Sequence, residues 1–167
     1  TEAFLLRVDG LDMGRRRTVR VQVGAVTLHG DLDGLAADFA VAARIAKLKP
    51  KDRLRGWLRH LLLAAARGQG RTELPARSLI LAKDSTLHLP ELDPPRALAH
   101  LEVLLAGYRQ GAHAPLPFFE KSSYEYAERL HDNDDAATAL RAARKKWLPD
   151  TSDFPTSDSE DEAVALA

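Results

Sequence analysis

The amino-acid sequence predicts an α/β (α+β) fold in which a mixed β-sheet is flanked by helices. Three runs with a β pattern come first in the chain, and their connections are short. After Pro50 the spacing of the apolar residues changes from two to about 3.6 residues, the period of an α-helix. Strands followed by helices are typical of a domain in which helices pack on a sheet. The length of 167 residues allows one domain with a hydrophobic core.

The strand-like runs lie in the first third of the chain. AFLLRV (Ala3–Val8) is apolar enough for a buried strand, and GLDMGRRR (Gly10–Arg17) is typical of a turn or hairpin tip. TVRVQV (Thr18–Val23) alternates strictly between apolar and polar residues, which predicts a half-buried strand. VTLHGDLDGL (Val26–Leu35) and FAVAARIAKL (Phe39–Leu48) predict two more strands. Their short connections favour an antiparallel meander.

The next segment, Asp52–Arg67, has the pattern of an amphipathic helix that ends near Gly68. Its apolar residues recur at the i, i+3, i+4 and i+7 positions of one face: Leu54, Trp57, Leu58, Leu61, Leu62 and Ala65. The runs ARSLILAK and TLHLPEL then predict two short strands on either side of a turn at Asp84 and Ser85.

Three further helices are predicted after these strands. The first spans Pro94–Gly111, with an inward face of Leu98, Leu101, Leu104, Leu105 and Tyr108. A capping-box pattern, Ser122 with Glu125, predicts the start of the second. The third spans about Asp134–Leu148, and Pro149 ends it.

Residues 150–167 differ in composition from the rest of the chain. They include six acidic residues and no basic ones, with few apolar residues to bury, which predicts a flexible acidic tail. The predicted organisation is therefore one domain over residues 1–149 and a tail over residues 150–167. The chain begins at Thr1 within a strand-like pattern, so we expect it to be a fragment of a longer chain.

Composition excludes several classes of function. The absence of cysteine excludes disulfides, thiolate metal sites and cysteine nucleophiles, and it fits a reducing compartment such as the cytoplasm. No apolar run approaches the roughly 20 residues that span a bilayer. No phosphate-binding loop of the P-loop or Gly-x-Gly-x-x-Gly type occurs, so no nucleotide cofactor is expected.

Charge is distributed unevenly along the chain. Residues 1–83 contain 16 Lys and Arg against 8 Asp and Glu, whereas residues 84–167 contain 8 against 16. The basic half holds one cluster at the predicted hairpin tip, Arg15, Arg16, Arg17 and Arg20, and a second at the strand-to-helix junction, Arg44, Lys47, Lys49, Lys51, Arg53, Arg55 and Arg59. Either cluster would attract DNA phosphates without sequence preference. The alternative is solvated charge, or pairing with an acidic surface of another subunit.

Asp31 and Asp33 are the main candidates for chemistry, because they lie two residues apart at the end of a predicted strand. Carboxylate oxygens bind Mg²⁺, but one carboxylate does not fix the ion against water. The alternative is a turn pair that accepts hydrogen bonds from backbone N–H groups before Gly34. The six histidines show no zinc-binding spacing, and His29 is the one nearest to these aspartates in the predicted strand.

Three stretches carry a resemblance to a known family. They are YRQGAHAPLPFFEKS (residues 108–122), WLRHLLLAAARGQGRTELPARSLILAKDSTLHLPEL (residues 57–92) and DDAATALRAARKKWL (residues 134–148). Their order and spacing resemble those of the C-terminal domain of RecC, the gamma subunit of bacterial exodeoxyribonuclease V (RecBCD). The resemblance covers most of the chain and is weaker before Arg53.

The resemblance implies a PD-(D/E)XK nuclease-like fold with a degenerate catalytic motif. Active nucleases of this shape hold a divalent metal with an aspartate on one strand and an acidic residue on the next, followed two positions later by lysine. Asp33 is at the position of the first aspartate. The next predicted strand has no acidic residue, and none of the seven lysines lies two positions after one. Asp31 and Asp33 are therefore expected to be remnants of a site rather than catalytic residues.

The same resemblance implies a non-catalytic scaffold and DNA-handling role in recombinational repair of double-strand breaks. The implied partners are the RecB and RecD subunits, a double-stranded DNA end and its separated strands. No cofactor is expected in this domain, since Mg²⁺ and ATP would be used by the partner subunits. One alternative is a metal-dependent DNA nuclease whose second carboxylate comes from Asp38, Asp52 or Glu73. Another is an adaptor unrelated to DNA repair.

Overall fold

A computed structural model describes residues 15–148 and Ser157 of the chain. The chain divides into two compact units, Thr1–Arg109 and Gln110–Ala167, which are described separately. The helices and strands of the described residues are, in chain order, β1 (Arg15–Val23), β2 (Val26–Leu35), β3 (Phe39–Arg44), α1 (Pro50–Gly68), β4 (Arg77–Ala82), β5 (Thr86–Leu89), α2 (Pro94–Gly111), α3 (Glu120–His131) and α4 (Ala136–Trp147). The predicted run Ala3–Val8 and most of the predicted tail, residues 150–167, lie outside the described residues, and the boundary at residue 149 stays a prediction.

The first unit contains a five-stranded sheet in the order β1-β2-β3-β4-β5. Strands β1, β2 and β3 form an antiparallel meander, as the short connections predicted. Strand β4 is parallel to β3, and α1 makes the connection between them. Strand β5 returns antiparallel to β4. The prediction of a mixed sheet with flanking helices is thus confirmed.

The β1–β2 hairpin contributes apolar side chains to the buried core. Val19, Val21 and Val23 are 0%, 0% and 3% exposed, as their alternation with polar residues predicted. The two strands are joined by the two-residue turn Gly24-Ala25, in which Gly24 has a φ of 56°. Positive φ at the first residue of such a turn is typical of type II′ hairpins, and glycine adopts it readily.

The predicted hairpin tip at Gly10–Arg17 is wrong for its last three residues. Arg15 pairs with Leu35 and Arg17 pairs with Leu32, so these residues belong to β1. Ladder pairing with β2 outweighs the turn propensity of the preceding glycines. Residues 10–14 are outside the described part of the chain.

A β-bulge interrupts β2 next to the predicted site. Arg15 and Arg17 are two residues apart on β1, but their partners Leu35 and Leu32 are three residues apart on β2. The extra residue is accommodated at Gly34, which has a φ of 61°. A Cβ atom at Gly34 would lie 2.1 Å from the carbonyl oxygen of Val41, so β2 and β3 approach closely here. A bulge of this type bends the strand and changes the direction of the neighbouring side chain, here Asp33.

Helix α1 covers the buried face of the sheet with a set of residues that partly matches the predicted one. Its buried residues are Gly56, His60, Leu61, Leu63, Ala64, Ala65 and Ala66. Leu61 and Ala65 were predicted correctly, and the predicted Trp57 and Leu62 are partly buried against the core, whereas Leu54 is 36% exposed. The helix rotates toward Gly56 because the missing side chain lets the backbone approach Ile80 of β4, whose Cδ1 would lie 2.0 Å from a Cβ at Gly56.

His60 connects α1 to the sheet. It is 3% exposed, and its Nδ1 lies 2.9 Å from the hydroxyl of Ser78 on β4. Burial lowers the pKa of His60 below its usual 6.5, and a hydrogen bond to the backbone of Pro90 opposes this shift. The ring is therefore a hydrogen-bonded core group.

Helix α2 packs on the same core through Ala97 and Leu101, with Leu98, Leu104 and Leu105 partly buried against it. Tyr108 was predicted to point inward but is 77% exposed, because the packing surface ends one turn earlier. None of the helices among the described residues is long and apolar enough to cross a membrane.

In the second unit, α3 and α4 form a helical hairpin. Asp135 caps α4 by accepting hydrogen bonds from the backbone N–H groups of Ala137 (2.9 Å) and Thr138 (3.0 Å). The predicted cap at Ser122 is wrong: α3 begins at Glu120, and Ser122 is buried inside the helix. Phe119 takes the cap position because its ring packs on Trp147, with 4.3 Å between centroids. Its N–H donates to the hydroxyl of Ser123 over 3.0 Å.

Candidate nucleic-acid interface and the cavity beside Asp33

A surface cavity of about 410 Å³ lies where β2 and β3 meet the first turns of α1. We call it the Asp33 cavity. Its walls are the bulge of β2, the last residues of β3, one side of α1 and one residue of β4. The lining residues are Asp33, Gly34, Val41, Ala42, Ala43, Arg44, Asp52, Arg55, Gly56, Arg59 and Ile80. Glycine and alanine at four of these positions leave the space that the charged side chains surround.

Asp33 is bound by an arginine from the facing helix. The Nη2 group of Arg59 donates to Oδ1 of Asp33 in a short ion pair and to the backbone carbonyl of the same residue at 2.7 Å. The Asp33 side chain is 72% exposed, whereas that of Arg59 is 27% exposed. Holding two oxygens of one residue fixes the guanidinium at the end of β2.

Asp52 carries the second carboxylate of the cavity, and an arginine binds it too. The Nη1 group of Arg44 lies 2.8 Å from Oδ1 of Asp52, whose side chain is only 11% exposed. The other oxygen of Asp52 accepts the backbone N–H of Lys49 at 3.0 Å, at the start of α1. An acidic residue in the first turn also interacts favourably with the helix dipole. Asp52 therefore has a structural function, because it helps to cap the N-terminus of α1.

The charge of the Asp33 cavity is positive. Three arginines (Arg44, Arg55, Arg59) face two aspartates (Asp33, Asp52), which gives a net charge of +1. Arg55 is exposed and makes no ion pair within the described part of the chain. In the same part of the chain, no group of three or more His, Cys, Asp and Glu side chains is placed to hold a metal ion. The arrangement presents arginine N–H donors, which suit an anion better than a hard cation.

The other carboxylate candidates lie outside this cavity. Asp31 accepts a hydrogen bond from the hydroxyl of Thr18 (2.7 Å) and forms an ion pair with Arg16. These two contacts, that of Thr18 first, lower the pKa of Asp31. Glu73 pairs with Arg71 at 2.6 Å, and this hydrogen bond lowers the pKa of Glu73.

Two further candidates, Asp38 and His29, do not line the Asp33 cavity either. Asp38 is exposed in the turn before β3. His29 is exposed on β2 opposite Arg20 of β1. Among the three proposed second carboxylates, Asp38, Asp52 and Glu73, only Asp52 lines the Asp33 cavity.

The first basic cluster lies along β1, at one edge of the described sheet. Arg16, Arg17 and Arg20 are exposed; for Arg15 only the backbone position is described. Part of this edge is already paired: the side-chain amide of Gln69 donates to the Gln22 carbonyl (2.8 Å) and accepts the Gln22 N–H (2.9 Å). Charged side chains and covered backbone groups protect an edge strand from pairing with other chains. This surface therefore has a structural explanation besides DNA binding.

The second basic cluster divides into two groups. Arg44, Arg55 and Arg59 line the Asp33 cavity, and two of them are ion-paired there. The cations outside the cavity lie in the loop before α1 and in its first turn: Lys47, Lys49, Lys51 and Arg53. Lys47, Lys49 and Lys51 are exposed. These four cations, which we call the basic segment, lie in the chain between Arg44 and Arg55 of the cavity lining.

The sequence patterns did not identify Gly34, Gly56 or Thr18 as parts of these arrangements. A glycine inside a helical pattern can indicate a close packing contact, because glycine lowers the stability of a helix unless packing or function requires it. Gly56 has that role against Ile80. The pairing of Arg59 with Asp33 spans 26 residues, and no local pattern reports such a contact.

Two comparisons with known proteins concern the family of the chain. A family model described as the RecC C-terminal domain matches residues 2–131. The RecBCD enzyme subunit RecC of Escherichia coli (strain K12) is 29% identical to this chain over 140 residues, which cover 81% of this chain. The chain spans only 12% of the length of that relative. Because the family model matches well over half of the residues, the chain belongs to the RecC C-terminal domain family.

Proposed function

We propose that this domain is a non-catalytic scaffold and DNA-handling part of a RecC-type subunit. Its complex would be a RecBCD-type helicase–nuclease that acts in recombinational repair of double-strand breaks in the cytoplasm. The family match supports this role, and the relative's description as a subunit of the RecBCD enzyme supports RecB-type and RecD-type partners. ATP-driven unwinding and Mg²⁺-dependent cleavage would belong to those partners.

The observation that carries the non-catalytic part of this proposal is the pairing of both cavity carboxylates with arginines. Arg59 holds Asp33, and Arg44 holds Asp52. A divalent ion would have to displace both guanidinium groups before two carboxylates could converge on it. The strand that follows Asp33 contributes Val41, Ala42 and Ala43 to the cavity, where an active relative would place an acidic residue. A nuclease-like fold with a degenerate motif accounts for this combination.

The assembly part of the proposal is supported by apolar surface in the second unit. A cavity of about 340 Å³ lies between α3 and α4, and its lining includes Phe119, Tyr126 and Trp147. Leu140 at this cavity is 54% exposed. Clustered apolar side chains on a protein surface are typical of binding sites for other proteins.

The DNA-handling part of the proposal is supported by the basic segment that surrounds the start of α1. Exposed lysines at positions 47, 49 and 51 would contact phosphates without reading the base sequence. Such contacts contribute affinity that falls steeply with salt concentration.

Cleavage of a DNA end by the assembled complex tests the proposal. At saturating DNA, where affinity does not limit the rate, we expect Asp33→Ala to leave the cleavage rate unchanged, like the control Asp38→Ala outside the cavity. We also expect Mg²⁺ added to the full chain to give no saturable heat in calorimetry at millimolar concentrations. Loss of cleavage in Asp33→Ala alone, together with Mg²⁺ binding that the variant abolishes, would refute the non-catalytic role.

A second candidate function is a metal-dependent nuclease with a non-standard second carboxylate. The presence of Asp52 in the same cavity as Asp33 favours it. Inactivating the nuclease site of the partner subunit in the assembled complex separates the two functions. Residual metal-dependent cleavage that disappears in Asp52→Asn would support the second candidate, and complete loss of cleavage would exclude it.

A further inference from the structure

Without Arg55, the charged residues of the Asp33 cavity would form only two arginine–aspartate ion pairs. The other two arginines are each matched by an aspartate, but Arg55 adds a positive charge with no counter-charge among the lining residues. Arg55 lies three residues from Asp52 and four from Arg59, so all three side chains start from the same side of α1. The uncompensated charge is therefore part of the cavity wall.

The paired arginines still have N–H groups available. A guanidinium has five donors. Arg44 uses Nε toward the Lys47 carbonyl (3.1 Å) and Nη1 toward Asp52, while Arg59 uses Nη2 toward Asp33. The Nη2 group of Arg44 and the Nε and Nη1 groups of Arg59 make no hydrogen bond within the described part of the chain. The aspartates thus hold two guanidinium groups in place without exhausting them.

We infer that the Asp33 cavity is an oxyanion site that holds a phosphodiester group of DNA, with Arg55 as a direct ligand and with Arg44 and Arg59 as donors positioned by Asp52 and Asp33. Planar guanidinium forks match the tetrahedral oxygens of phosphate. A volume of about 410 Å³ accommodates a phosphate with part of its sugar. This inference rests on the DNA-handling role proposed above and assigns that role to one cavity.

DNA is favoured over an acidic protein surface because of what surrounds the cavity. Lys47, Lys49 and Lys51 extend the positive charge beyond the cavity along the start of α1. A DNA strand presents phosphates at regular intervals, so it can occupy the cavity and these lysines together. Binding to a carboxylate of a partner subunit is the competing outcome, and the experiment below separates the two.

The test measures the affinity of the assembled complex for a fluorescent duplex end over a range of salt concentrations. Arg55→Gln removes the proposed ligand, and Arg53→Gln removes the same charge from the same helix outside the cavity. We expect Arg55→Gln to weaken binding about tenfold, the effect of one charge-assisted bond. The slope of log K against log salt should become less steep by about 0.9, as for one lost phosphate contact. Arg53→Gln should have a smaller effect on both.

Two further measurements identify the ligand chemistry. Inorganic phosphate at constant ionic strength should compete with DNA in the wild-type complex and lose that effect in Arg55→Gln. Arg55→Lys keeps the charge, so it should preserve the salt slope while weakening phosphate competition, because lysine lacks the fork.

The outcomes separate this inference from the proposed function. Equal effects of Arg55→Gln and Arg53→Gln would overturn the phosphate site and leave DNA handling by a diffuse basic surface. Weakened subunit assembly in Arg55→Gln, with unchanged DNA affinity, would overturn it in favour of a partner carboxylate. No change of DNA affinity on neutralising any residue of the basic segment would refute the DNA-handling role itself.

Discussion

Replacing Gly34 by alanine tests whether the close approach of β2 and β3 shapes the Asp33 cavity. The substitution has two costs. The left-handed conformation at a φ of 61° costs a residue with a Cβ about 1–2 kcal/mol. The new Cβ would also lie 2.1 Å from the Val41 carbonyl oxygen, and crowding of this kind costs about 1–3 kcal/mol.

Strand β3 has little freedom to move away from the added methyl group. Val41 is 2% exposed and pairs with Leu79 of β4 on its other side. We therefore expect Gly34→Ala to lower the free energy of unfolding by about 2–5 kcal/mol.

Gly24→Ala is the matched control for this substitution. Gly24 has a φ of 56°, and no atom lies within 4 Å of its added Cβ, so the variant pays the conformational cost alone. Urea and thermal unfolding followed by circular dichroism would compare the two variants. The crowding difference of about 1–3 kcal/mol corresponds to about 2–4 °C of Tm for each kcal/mol in a chain of this size. Equal losses in the two variants would refute the assignment of a steric contact to the bulge.

Two other predictions concern α1. Leu61→Ala should cost about 2–5 kcal/mol of unfolding free energy because Leu61 is 0% exposed, whereas Leu54→Ala should cost less than about 1 kcal/mol; urea unfolding that ranks them in reverse would contradict the observed helix face. The lowered pKa of His60 predicts that stability is fully present above pH 6.5 and falls as the pH drops below it, because the unfolded state binds the proton more strongly. His60→Gln should flatten this part of the pH profile in unfolding experiments at matched ionic strength, and an unchanged profile would show that His60 does not cause it.

The strands of the first unit were predictable because their information is local. Strict alternation at Val19, Val21 and Val23 placed β1, and short connections placed the meander. The parallel pairing of β3 with β4 was not predicted, since it depends on where α1 returns the chain. The position of Arg15 to Arg17 was also missed, because a bulge in β2 continues the ladder past the point where the turn signals suggested an end.

Helix boundaries failed where tertiary contacts outweighed local signals. Ser122 and Glu125 have the spacing of a capping box, yet the packing of Phe119 on Trp147 sets the start of α3 two residues before Ser122. On α1, the apolar spacing suggested Leu54 as an inward residue, but the contact of Gly56 with Ile80 sets the rotation of the helix. Periodicity located both helices, and packing determined which residues they bury.

The aspartates of the Asp33 cavity illustrate how charge balance can change the ligand class of a pocket without changing its acidic residues. Asp33 and Asp52 alone would give a charge of −2, which suits a divalent cation. Arg44, Arg55 and Arg59 bring the sum to +1. Loss of one arginine leaves the cavity neutral, and at least two must be lost before its net charge becomes negative. Such a step would also release Asp33 or Asp52 from the ion pair that orients it. Conversion to a metal site would therefore require several coordinated substitutions.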